Sequence, residues 1–293
     1  MTSTLVADLA VITPIDEVDV LPARRAALKV FTDVSALGPH TIENVIVANQ
    51  KGNYSFIRGI APYSGGVIAD RGYEVVHARF LHPVSLNQGF NAVKEHIGGA
   101  GRPIHALCGM ELRSPKPFTF QGFIDFNAGY IQVLKDWGVI AGGVNPIART
   151  NIAPEIGAPQ APALYGFSYT AKATSDEKTF VVAGGGELPE GSLDPHDVVR
   201  RGETSADALR DKVKFVMGLM SGRIKDMGVR WDAATNVNMY TVHSICSVLA
   251  DEIIRPMGAS ALHGVTWHYS RPPIESIEYE MDLRGTHREI VLS

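Results

Sequence analysis

The chain has 293 residues, a formal net charge of −4 and a hydrophobic content of 45%, a balance that excludes intrinsic disorder and gives no general attraction for nucleic acid or an anionic membrane. Its two cysteines, Cys108 and Cys246, are too few for a disulfide framework and are read as thiols of a soluble cytoplasmic protein. The N-terminus carries no basic-then-apolar leader, and no apolar run approaches the roughly 18 residues that span a bilayer, so a small-molecule partner is expected.

Residues 1–40, which include PARRAALKVFTDV, are expected to form an added arm or helix. A strand-like run follows at 74–81 (EVVHARFL), then a helix over 85–97 with Leu86, Phe90, Val93 and Ile97 at helical spacing and a stop at Gly98-Gly99. Residues 104–112 (IHALCGMEL) read as a strand, and 118–137 as a second helix, striped by Phe123, Phe126, Tyr130, Val133, Leu134 and Trp137 and ended by Gly138. Strands are expected at 164–171 and 179–183. The third helix is the clearest: Thr204 or Ser205 caps it, Leu209, Val213, Val216, Met217, Met220, Ile224 and Met227 line one face, and Gly228 ends it. A strand at 236–242, a short helix over 244–255 and strands at 262–268 and 274–283 complete the chain.

This order is strand, helix, strand, helix, strand, strand, repeated with an offset of roughly 130 positions. It predicts an α/β (α+β) protein of two tandem β-α-β-α-β domains, 41–174 and 175–293, behind an extension over 1–40. The polar hinge ATSDEK marks the boundary.

Four segments of the first copy, APYSGG (61–66), FIDFNAGY (123–130), PIARTNIAP (146–154) and ALYGFSYTA, resemble in order the motifs of the reactive-intermediate deaminase (Rid, YjgF-like) family. In the second copy KTFVVAGGGELPEG and IEYEMDLRG resemble that family's strand-and-turn and its final strand. The resemblance implies a chorismate-mutase-like fold in which three units close a barrel with helices outside. It also implies a homo-oligomer, a trimer being the simplest, and cofactor-free hydrolysis of amino-acid imines or enamines, 2-aminomuconate-type acids included.

Carried over by position, the resemblance makes Arg149 the holder of a substrate carboxylate. Tyr63, Asn127 and Asn151 line the substrate, and the final-strand glutamate falls on Ser168 in the first copy. The second copy is the reverse, with Ala259 at the arginine position and Glu278 and Glu280 on the last strand. A composite cleft is therefore expected, with Arg149 from one copy and Glu280 or Glu278 from the other. Strand alternation puts both glutamates on one face. A guanidinium gives a planar two-point grip on a carboxylate, and a glutamate with a burial-raised pKa can exchange protons with water and the enamine carbon.

Plainer readings compete. Arg149 can pair with a carboxylate across a subunit interface, and Arg271, Arg284 or Arg288 can make Glu280 half of a structural ion pair. Cys108 has no partnered base, no histidine spacing suggests a metal, and the glycines at 184–186 lack the Lys-Ser or Lys-Thr of a phosphate loop. The aromatic stripe of the second helix reads as core packing. A chorismatase-like hydrolase, with Arg79 or Arg113 as a second basic anchor, and a non-catalytic binding module are the alternative functions.

Overall fold

Capping and apolar spacing set the helices. The computed structural model describes residues 45–140, 142–192 and 194–293; the arm or helix expected over 1–40 lies outside them. Helix α1 (Leu86–Gly99) is capped by Ser85 and buries Phe90, Val93 and Ile97. Helix α2 (Phe120–Asp136) is capped by Thr119 and buries Phe123, Asn127, Tyr130 and Leu134. Helix α3 (Ala206–Asp226) starts at Ser205, whose side chain accepts from the Ala208 N–H. It ends before Gly228, whose φ of +65° is left-handed. The fourth helical stretch, 246–257, has a π-helical centre over Leu249–Ile254.

Among the described residues thirteen strands form two sheets. Those of the first half are β1 (Ile46–Asn49), β2 (Tyr54–Ile57), β3 (Gly66–Ala69), β4 (Tyr73–Ser85), β5 (Leu107–Arg113), β6 (Ala148–Pro154) and β7 (Ala163–Lys172). The second half adds β8 (Phe180–Gly186), β9 (Asn236–Tyr240), β10 (Thr266–His268), β11 (Ser270–Arg271), β12 (Glu280–Gly285) and β13 (Arg288–Leu292). One sheet runs β1-β2-β3-β8-β12-β9-β10 and the other β11-β6-β5-β7-β4-β13.

Within them the order β4-β7-β5-β6 recurs as β8-β12-β9-β10. In each run two antiparallel pairings are followed by one parallel pairing. The parallel pair is joined in each case by a helical crossover, α2 or the 246–257 stretch, as parallel strands require. The expected repeat is thus visible as topology. Each sheet also takes strands from the other half: β1 to β3 extend the sheet of β8, while β11 and β13 flank that of β4 to β7. Among the described residues both sheets stay open, with β1, β10, β11 and β13 as edges, so the expected barrel does not close within the chain.

Each sheet buries one face under its own helices. Met281 and Leu283 of β12 join Val213, Val216, Met220 and Ile224 of α3, whereas Phe167 and Tyr169 of β7 join Val93 and Ile97 of α1. The other faces meet. Tyr54, Phe56, Val67, Val75, Cys108, Ala148 and Ala183 form the apolar part of that contact. Alternation along β12 turns Glu280, Asp282 and Arg284 away from Met281 and Leu283, and Arg284 Nη1 lies 3.7 Å from Glu111 of β5 in the other sheet.

One irregularity matters for the site. Met281 pairs with Gly185 but Leu283 with Val182, so Ala183 and Gly184 together oppose Asp282 alone. This is a β-bulge, and it re-aims the strand end that faces Glu280.

Candidate active site

Arg149 is the second residue of β6, where alternation turns it toward α2 and turns Thr150 toward β8. It is 3% exposed. Its Nη1 donates to Asn127 Oδ1 at 2.6 Å, and the rings of Tyr130, Tyr63 and Phe123 surround it at 4.9, 5.1 and 5.5 Å. Burial lowers the guanidinium's pKa, while Tyr130, Tyr63 and Glu280 oppose that shift. Asn127 Nδ2 and the Tyr130 hydroxyl are buried without a hydrogen-bond partner. A buried polar group left in that state costs about 1–3 kcal/mol, so these two, beside a cation, suit an incoming anionic acceptor. Asn151 Oδ1 accepts from Ser114 Oγ at 3.0 Å, and its Nδ2 is also unpartnered.

Glu280, the first residue of β12, is 4% exposed. Burial pushes its pKa well above the ordinary carboxylate value, Asp282 and Glu187 push it further, and Arg149 and Arg223 oppose the rise. Its carboxyl lies over Gly184: a Cβ there would collide with Glu280 Oε1 and lie 3.2 Å from Thr150 Oγ1. The ion pairs weighed for it do not form, because Arg271 pairs with Glu155, Arg284 with Glu111 and Glu289, and Arg288 with Glu74.

Glu278 behaves differently from expectation. It precedes β12, so strand alternation does not govern it, and His243 Nε2 holds its carboxylate at 2.8 Å. The two glutamates are therefore not interchangeable. Arg113, one suggested second anchor, stacks on Tyr165 at 3.8 Å and donates to the Leu112 carbonyl.

Tyr63 is where the fields converge. Burial raises its pKa, Arg149 and Arg223 lower it, and Glu280 and Glu190 raise it. Neither Arg223 nor Glu190 was singled out in the sequence, although Arg223 falls in phase with Met220 and Met227 on the buried face of α3. A charge in an apolar stripe was the available signal. Beside Arg149, Thr150, Ser168 and Asp282 lies a cavity of about 10 Å³, room for roughly one water molecule. Cys108 is fully buried and burial pushes its thiol pKa up, which makes it a poor nucleophile. No group of three metal-ligating side chains occurs among the described residues. No helix among them is long and apolar enough to cross a membrane.

Residues 46–290 match the 2-aminomuconate deaminase family CnbZ. The chain belongs to this family. A 2-amino-5-chloromuconate deaminase from Comamonas testosteroni is 43% identical over 244 residues, 82% of this chain and 96% of that protein. Solved structures are distant: a chorismatase is 12% identical over 82% of this chain and 79% of its own, with a TM-score of 0.41. A cyanuric acid hydrolase is 9% identical over 75% and 69%, with a TM-score of 0.36.

Membership of the 2-aminomuconate deaminase family makes the chain an enzyme and a hydrolytic deaminase, as expected. It also corrects the sequence reading, since the family is this one and not Rid. With the Rid resemblance goes the argument for a three-unit barrel and hence for a trimer. Tyr63, Asn127, Asn151, Arg149 and Glu280 now stand on their geometry alone.

Proposed function

We propose that the substrate is 2-aminomuconate or a close relative, an enamine carrying a carboxylate beside the amino-bearing carbon, and that Arg149 and Glu280 act on it together. The observation that supports this most is the ring-caged, buried guanidinium of Arg149 beside the unpartnered donors of Asn127 and Tyr130, with the buried Glu280 carboxyl lying over Gly184 next to Thr150, the following residue of β6. The matched relative's name points to the same substrate class.

Arg149 binds the carboxylate next to the reacting carbon. Asn127 orients the guanidinium, and its free amide nitrogen and the Tyr130 hydroxyl donate to the same anion. Neutral Glu280 donates its proton to the enamine carbon, giving an iminium ion and a carboxylate. That carboxylate takes a proton from water as the oxygen attacks the iminium carbon, then returns it to the amine. Ammonia leaves as the hydroxyl proton passes to Glu280, which is neutral again, and a keto acid remains, so one water is consumed per ammonia released. Tyr63 and Asn151 line the substrate beside Arg149.

A homo-oligomer is also proposed, supported by β1, an edge strand among the described residues with Val45 and Ile46 exposed; the mass in solution tests it. The activity test is ammonia release from freshly generated 2-aminomuconate by wild type, Arg149→Ala and Glu280→Gln. Release by wild type that falls by roughly 10²-fold or more in kcat for Glu280→Gln and collapses through KM for Arg149→Ala supports the reading. Unchanged kinetics in both variants overturn it.

A further inference from the structure

Arg223 projects from α3 into the strand end that carries the Glu280 site. Its Nη1 donates to the Ala183 carbonyl at 2.8 Å, at the bulge beside Gly184. A Cβ on Gly185 would stand 3.3 Å from the same nitrogen, and one on Gly65, two residues after Tyr63, 3.5 Å from Nε. The guanidinium thus lies on a surface of glycines, where side chains would block it. Its remaining face is taken by a carboxylate: Nε donates to Glu190 Oε1 at 2.8 Å. The side chain of Arg223 is 5% exposed and that of Glu190 is 30% exposed. The arginine is therefore fixed and buried, and its carboxylate partner reaches it from the solvent side.

We infer that Arg223 is a second carboxylate anchor, which selects a dicarboxylic enamine by holding its distal carboxylate where Glu190 sits in the free protein. This rests on the reading of Arg149 and Glu280 above. The two anchors come from different halves of the chain, and both act electrostatically on Glu280, whose carboxyl covers Gly184, the neighbour of the Gly185 that borders Arg223. Apolar side chains beside Tyr63, namely Phe118, Phe123, Ile274 and Ile277, suit the unsaturated carbon chain between two carboxylates. An isolated guanidinium in such surroundings needs an anion, and Glu190 supplies one until the substrate displaces it.

The experiment compares 2-aminomuconate with 2-aminohexa-2,4-dienoate, the same enamine without the distal carboxylate. In Arg223→Ala the KM for the dicarboxylate rises roughly 10- to 100-fold, the loss of one buried charge-assisted contact, and the preference over the monocarboxylate shrinks by that factor. In Glu190→Gln, where the competing charge is gone, the dicarboxylate KM falls. Calorimetry with muconate and sorbate, which cannot lose ammonia, reads the same contrast without turnover, so failure of deamination and failure of the second anchor are separate results. Arg223→Ala weakening both members of each pair equally, or neither, overturns the inference.

Discussion

Asn127 commits its carbonyl oxygen to Arg149, 2.6 Å from Nη1, and leaves its amide nitrogen buried with no partner. One side chain therefore both aims the cation and offers a donor beside it. Asn127→Asp keeps the shape and the contact but places a negative charge against the guanidinium. The expected result is a rise in KM of roughly tenfold or more with the melting temperature held or raised. Steady-state kinetics and a thermal melt on the same preparation check both halves.

Glu280 makes stability depend on pH in a defined direction. Its folded pKa lies above the unfolded value, so the neutral form is favoured in the folded protein and the cost of burial is avoided at low pH. As pH rises past the ordinary carboxylate range the unfolded chain ionises freely, and stability falls until the folded pKa is passed. Glu280→Gln removes this fall. Its melting temperature is expected to exceed that of wild type by a margin that grows from pH 5 to pH 8; a margin constant in pH counts against a neutral Glu280.

Gly184 has no room for a methyl group beneath Glu280 Oε1. Gly184→Ala displaces the glutamate or the bulge, at about 1–3 kcal/mol for overpacking, with deaminase activity reduced far more than that stability loss requires. Urea denaturation alongside the ammonia assay separates the two effects.

Lys212 and Glu187 are a wholly buried pair, with Nζ 3.0 Å from Oε1. Glu187 also accepts from the backbone N–H groups of Glu278 and Tyr279 at 2.6 and 3.0 Å, so it holds the chain that enters β12. Glu187→Ala strands the lysine and releases that segment, with an expected loss of about 3–5 kcal/mol and of activity. Lys212→Met removes the cation but leaves Glu187 its two backbone donors and the option of taking up a proton, so it is expected to cost less, and denaturant midpoints rank the two.

Much of the fold was legible because it is written locally. Ser85, Ser205 and Gly228 bound their helices where capping chemistry puts them, and the apolar stripes of α1 to α3 are the faces that pack. Strands β1, β2, β3, β6, β11 and β13 were not marked: β1, β2, β3 and β11 are only two to four residues long, and β13 is set by a partner far away, Arg288 lying opposite Val76. The pairing of Arg149 with Glu280 rests in the sequence on two complementary losses, and in the structure both side chains are buried. Glu278 was misplaced because alternation was extended past the start of β12, and Arg223 was passed over because an arginine in a helical stripe looks like a surface residue with a long stem.

The last strand, β13, lies parallel to β4, and Glu289 reaches His77 across 212 positions at 2.6 Å. During synthesis, then, the β4 edge stays unfilled until β13 has left the ribosome, and Glu111, which shares His77, waits for its arginine from β12. Contacts this distant in sequence close late and slowly. A nascent chain of this protein completes neither half before the other, and removal of β13 damages the part that was made first.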